Sequence, residues 1–176
     1  MNISKEHKRI NTILDKYRSR IDSIPDELFD VTPPNGGWSY AEVYSHIMQA
    51  SLASGIAIDR CTSGTAKPVT GGINFLGRMI LLTGSFPPVT IKVPTSVASK
   101  ILPVKISKEE ARNLIIKCRK RMDDIAEVLK DASAQRRSKH PRMGMLNAKQ
   151  WYKFIRIHLK HHIKQLDRIT KALGAK

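Results

Sequence analysis

Cysteine is scarce in this sequence: Cys61 and Cys118 are the two thiols among 176 residues. Two thiols build neither a disulfide framework nor a cysteine-rich zinc site, which sets aside small stapled scaffolds and thiolate-held zinc domains. Long apolar runs are also lacking. The most apolar stretch, Ile73 to Leu82, is broken by Arg78 and is far shorter than the roughly 20 residues a spanning helix requires. The opening residues, Met-Asn-Ile-Ser-Lys-Glu-His-Lys, carry charge where a signal peptide has its apolar core. No membrane partner is therefore expected, and the cytoplasm is the expected compartment. Acid is the third shortage, with 15 Asp and Glu against 31 Lys and Arg, a net charge of +16. An excess of that size attracts nucleic acid and anionic surfaces, and it also keeps a protein soluble. Hydrophobic residues nevertheless reach 41%, enough for one domain over 1–176 with a single core.

What is present is helical periodicity. Ile10, Leu14, Tyr17 and Ile21 line one face of a helix expected from Ser4 to about Asp22. Pro25 and Pro33-Pro34-Asn35-Gly36-Gly37 mark loop, and Ser39 with Glu42 is a capping box that opens a second helix reaching about Cys61. Thr62 to Pro103 reads as a long irregular insertion, with a short helix around Ile73 to Leu82 and an extended piece at Val89 to Val93. An insertion of this length usually covers a site. Ser107 with Glu110 opens a third helix whose stripe runs Ala111, Leu114, Ile115, Cys118, Met122, Ile125, Ala126 and Leu129. Asp131 to Gly144 reads as basic and turn-like, and Asn147 with Gln150 caps a last helix reaching about Leu173. Four long amphipathic helices without a strand run give an all-α four-helix bundle.

The last helix carries the chemistry. At about 100° per residue, Trp151, Phe154, Ile155, Leu166, Ile169 and Leu173 form its apolar stripe, and His158, His162 and Gln165 fall within it. Two imidazoles one turn apart can share a metal ion, and burying them without a partner is costly. This helix alone is equally compatible with one satisfied core histidine and one exposed one. Helix two supplies a third ring, because His46 lies among Val43, Ile47, Ala50, Ala53, Ser54 and Ala57 on its inward face. Three histidines beside small residues resemble an open, catalytic site more than a closed structural one. Gln165 is placed to orient a ligand or a bound water, and His161, roughly 60° from His158, is expected at the edge. His7 is set aside because chain ends fray, and His140, before Pro141, is assigned to loop geometry.

These residues resemble a known group. Pro33-Pro34-Asn35-Gly36-Gly37-Trp38-Ser39 followed by His46 is similar to the entry of helix two in the DinB/YfiT-like superfamily. His140-Pro141-Arg142-Met143-Gly144-Met145-Leu146, then Trp151, then His158, His161, His162 and Gln165, resembles the branch with an HP-x-x-G-x-L turn before an H-x-x-H-H-x-x-Q helix. The resemblance implies a bundle of up-down-down-up connectivity with a metal on three histidines, which fall here on His46, His158 and His162. It implies thiol transferases or isomerases that use low-molecular-weight thiols in some relatives, and hydrolases in others. The expected cofactor is a divalent ion, zinc, nickel or iron(II), and the expected partner is a small molecule such as a thiol. No catalytic acid or base is assigned. A homodimer is common in such bundles.

The basic residues of the last helix, Lys149, Lys153, Arg156, Lys160, Lys164 and Lys171, recur at three, four or seven positions, roughly opposite His158. A polyanion such as nucleic acid is one reading of that row. A solvated face in a basic protein is the simpler one, because no recognition motif or exposed aromatic-basic alternation accompanies the charge.

Overall fold

Three helices start on reciprocal caps. Ser39 Oγ accepts from the Glu42 N–H at 3.3 Å, while Glu42 Oε2 accepts from the Ser39 N–H at 2.8 Å. Ser107 with Glu110 and Asn147 with Gln150 repeat the exchange, so each first turn has its free N–H groups satisfied. A computed structural model describes residues 1–66, 71–87 and 103–174. Its elements are α1 (Ile3–Ser23), α2 (Tyr40–Thr62), α3 (Phe75–Thr83), α4 (Lys108–Val128), β1 (Arg137–His140), β2 (Gly144–Asn147) and α5 (Ala148–Ala172). A short 3-10 turn, Asp26–Leu28, lies between α1 and α2. The expected extended piece at Val89 to Val93, and the central part of the expected covering insertion, lie outside the described residues.

The four long helices form the bundle. Going round it, α1 touches α4, α4 touches α2, α2 touches α5, and α5 touches α1. Chain neighbours α1 and α2 therefore sit across a diagonal, as do α4 and α5. Ile10, Leu14, Tyr17 and Ile21 are fully buried, as their spacing predicts. Two buried tyrosines join the diagonal: Tyr44 donates to the Tyr17 carbonyl at 2.9 Å, and Tyr17 donates to the Leu159 carbonyl at 2.8 Å. Each hydroxyl thus enters the core with its hydrogen bond made, which removes most of the cost of burial.

Two expectations need correction. The buried arc of α2 is turned away from the predicted one. Tyr44, Met48, Ser51, Gly55 and Ile58 are buried with Val43, Ile47 and Ser54, whereas Ala50 and Ala57 are half-buried and Ala53 is exposed. The cause is that α2 packs against both α4 and α5, so its buried arc is wide and the alanine row forms its edge. Second, Asp131 to Gly144 is more than a turn, because β1 and β2 pair antiparallel from Arg137↔Asn147 to His140↔Gly144. Gly144, at φ +82°, has the left-handed backbone that makes this return cheap.

The hairpin anchors α3. The Asn74 N–H donates to the Met143 carbonyl at 3.0 Å, Asn74 Nδ2 to the Arg142 carbonyl at 2.8 Å, and the Met145 N–H to the Gly72 carbonyl at 3.0 Å. Ile80 and Leu81 then pack into the core, and Gly84 at φ +69° ends the helix. Among the described residues no helix is long and apolar enough to cross a membrane.

Candidate metal centre

His46 on α2 faces His158 and His162 on α5, the two helices that pack along one side of the bundle. The 3.6-residue turn sets His158 and His162 one above the other. Their Nε2 atoms are 3.0 Å apart. One ring nitrogen from each of the three histidines lies within 4.8 Å of the others. Tetrahedral zinc with bonds of about 2.0–2.1 Å separates its ligand nitrogens by roughly 3.4 Å, so the donor set fits a divalent ion after small side-chain adjustments. Among the described residues no carboxylate joins this cluster.

The protons on these rings follow from their neighbours. Gln165 Oε1 lies 2.7 Å from His162 Nδ1 and accepts its proton, leaving the His162 Nε2 lone pair directed at the other two rings. The 3.0 Å contact then has His158 Nε2–H donating to His162 Nε2. Burial pushes His46 down to about 4 and His162 down to about 3, the latter helped by His46 and His161. His158 is held well below the usual imidazole range by burial first and by the surrounding histidines second. All three are neutral at pH 7, the form that binds metal.

Aromatic rings enclose the cluster. Trp38 lies parallel to His162, with 6.2 Å between centroids and 4° between planes, and leans on His46 at 4.9 Å. Phe154 stacks on His158 at 5.1 Å, and Phe86 approaches it at 5.9 Å. His140 has the loop role expected of it, since its Nδ1 accepts from the backbone N–H groups of Arg142 and Met143. Its ring also extends the wall, 4.5 Å from Phe154. Sequence reasoning missed the parts played by Trp38 and Phe86. The Trp-Ser pair opening α2 was a usable signal for the first, whereas Phe86 sits in the irregular insertion with no pattern around it.

His161 stands at the edge as expected, half-buried, with its ring 5.1 Å from His162 and 4.7 Å from Phe86. Burial lowers its pKa, and the positive charges of Arg168 and Lys164 lower it further. His7 is a correction. Asn2 caps α1 through the Lys5 N–H, so this end is ordered, and His7 Nδ1 lies 2.7 Å from Tyr152 Oη and its Nε2 3.1 Å from Asp123 Oδ1. It forms a separate polar contact at the α1–α4–α5 junction.

The basic row is also corrected at one member. Arg156 does not face a polyanion, because its Nε lies 2.5 Å from Glu6 Oε1 with side-chain exposures of 12% and 5%. The wheel gave its direction from the axis, but the long side chain reaches back to α1. Lys149 and Lys153 are half-buried, and Lys160 and Lys164 are exposed.

Comparison with known proteins agrees with this architecture. The fold is similar to that of YfiT from Bacillus subtilis, described as a probable metal-dependent hydrolase with an unusual four-helix bundle topology, at 13% identity and TM-score 0.66 over 99% of this chain and 89% of that one. It is similar to TT2238, a four-helix bundle protein, at 18% identity and TM-score 0.61 over 95% of this chain and 99% of that one. The mycothiol-dependent maleylpyruvate isomerase shares 9% identity at TM-score 0.61, with 93% of this chain spanning 60% of the isomerase. No curated protein sequence matches the chain. At such identities the structures speak for the fold alone. The sequence model of the DinB superfamily matches residues 9–166, nearly the whole of the bundle, and the chain belongs to that superfamily.

Proposed function

We propose that this protein is a metal-dependent enzyme of the thiol-transferase or hydrolase kind, with a divalent ion held by His46, His158 and His162. The observation that carries the reading is the convergence of three neutral imidazoles, two with Nε2 atoms 3.0 Å apart, inside an otherwise apolar and aromatic enclosure. Without an ion the rings of His158 and His162 satisfy each other through one hydrogen bond, and a bound ion would replace that contact with a bond to each of the three histidines. The descriptions of YfiT as a probable metal-dependent hydrolase and of the isomerase as mycothiol-dependent support the same reading. Zinc, nickel and iron(II) all suit such a donor set.

When bound, the ion supplies Lewis acidity, which brings the pKa of a coordinating water or thiol toward neutrality. The chain supplies the rest. Gln165 holds the His162 proton on Nδ1 and fixes that ring. Trp38 and Phe154 pack on the rings and keep water from two sides. Ala50, half-buried, and Ala53, exposed, follow His46 at four and seven residues on α2, and their small side chains leave that side open to a substrate. His161 stands next to the cluster, with its ring 5.1 Å from that of His162. A direct test couples a small thiol to an electrophilic acceptor, alongside ester hydrolysis, with metal-loaded protein. Turnover should vanish on chelation and in His158→Ala, and return when metal is restored to the wild type. Turnover that is indifferent to chelation would contradict the proposal.

A further inference from the structure

A groove runs beside the three histidines, between the end of α3 and the outer side of α5, lined by Ser85 and Phe86 on one side and Lys160, His161 and Lys164 on the other. It shares a wall with the cluster. The Phe86 ring touches both His161, at 4.7 Å, and His158, at 5.9 Å, while His161 stands edge-on to His162 at 5.1 Å. A molecule lying in the groove therefore has one end within a ring's width of the candidate ligands.

The charges around the groove have one sign. Lys160 and Lys164 are one turn apart on α5, so their ammonium groups can flank a single point. Among the described residues neither is engaged in an ion pair, although Arg156, one turn earlier, is paired with Glu6. The fixed charges that bear on His161 are Arg168 and Lys164, and the one that bears on His162 is Arg168. Among the described residues the cluster itself contributes no compensating carboxylate. A divalent ion on three uncharged rings would add two further positive charges that no residue of the cluster cancels. Charge of one sign around a groove raises the local concentration of the opposite ion, so an anionic group is the ligand this groove favours.

We propose that this groove is an anion subsite: it takes the carboxylate or phosphate group of a small-molecule substrate between Lys160 and Lys164, against the rings of Phe86 and His161. The subsite itself stands on the groove and its two lysines, which have no ion pair among the described residues; its role in holding substrate for reaction rests on the metal-centre reading. The substrate is then an anion with an apolar body, its charged end in the groove and its reacting end at the three histidines. The basic row thereby divides. Lys160 and Lys164 serve a discrete small-anion site, and the half-buried Lys149 and Lys153 lie outside the groove.

The test is an amide NMR titration of the full chain, with and without metal, at constant ionic strength. The probes are benzoate, phenylphosphonate and uncharged benzyl alcohol. Saturable shifts at Ser85, Phe86, His161 and Lys164 are expected with at least one of the two anions and not with the alcohol, and the tighter anion identifies the headgroup. Affinity should fall roughly tenfold or more in Lys160→Gln/Lys164→Gln and stay within about twofold in Lys149→Gln/Lys153→Gln, which removes the same charge outside the groove. Spectra elsewhere in the bundle serve as the folding control. Equal shifts with benzyl alcohol, no saturable shift with either anion, or equal losses in the two double variants would overturn the subsite. Metal content is measured on the same samples. Protein that binds anion in the groove but holds no metal would sink the metal-centre reading alone, and metal-loaded protein without groove binding would sink the subsite alone.

Discussion

The two nitrogens of His162 have different duties. Nδ1–H donates a hydrogen bond to Gln165 Oε1 at 2.7 Å, and Nε2 is left with a lone pair that accepts from His158. Replacing Gln165 with Ala frees the ring to turn and to place its proton on the wrong nitrogen. Metal affinity should then fall about 10- to 100-fold, as measured by competition with a chelator. Unchanged affinity in Gln165→Ala would show that the amide plays no orienting part. The depressed pKa values make a second prediction, for metal-free protein. An imidazole in the unfolded chain takes up its proton near pH 6.5. In the folded chain His46 and His140 wait until about 4 and His162 until about 3. Between those values the unfolded state binds more protons, so stability is full above pH 6.5 and is lost as the pH falls through 6 toward 4. The limiting slope is about 1.4 kcal/mol per pH unit for each ring involved. Urea unfolding of chelator-treated protein at pH 7.5, 6 and 5 should show the midpoint dropping steadily; a flat or rising midpoint would contradict the neutral-ring assignment.

At the scale of elements, the attachment of α3 to the hairpin leaves no room for a side chain at Gly77. A Cβ on Gly77 would lie 2.4 Å from Ile73 Cγ2 and 2.7 Å from the Met143 carbonyl oxygen. The second of these is backbone and cannot move aside cheaply. Gly77→Ala should therefore destabilise the protein by about 1–3 kcal/mol, the usual range for overpacking, with a lowered Tm in calorimetry. A Tm at or above that of the wild type would mean that α3 is free to lift from the hairpin. The elements differ in how legible they were. The four long helices, their three capping boxes and the buried faces of α1 and α4 follow local rules of spacing and capping, and the sequence reading found them. The hairpin did not announce itself, because Arg137-Ser138-Lys139-His140 lacks apolar alternation and its pairing depends on contacts with Gly72 and Ile73 far along the chain. The same distinction holds at the site. The inward direction of His158 and His162 is a property of one helix, whereas the Arg156–Glu6 pair and the bond from His7 to Tyr152 join residues about 150 positions apart. Helical wheels carry no information about such partners.

Over the whole molecule, the net charge of +16 invites a polyanion, and part of the basic complement is taken up between helices. Arg20, Arg112, Arg119 and Arg121 are paired with Asp167, Asp22, Asp15 and Asp59, which ties neighbouring helices at the surface. Lys160 and Lys164, beside the histidines, have no ion pair among the described residues. The bundle thus places one neutral, aromatic-walled donor set between α2 and α5, with positive charge at its mouth. The central claim is that this donor set holds a metal ion, and elemental analysis tests it most directly. Untagged wild-type protein purified from metal-replete medium is compared with His46→Ala, His158→Ala and His162→Ala, and circular dichroism confirms the fold of each. The account predicts about one divalent ion per chain in the wild type and a large loss in each of the three variants. Well-folded wild-type protein without metal, or variants that retain it in full, would contradict it.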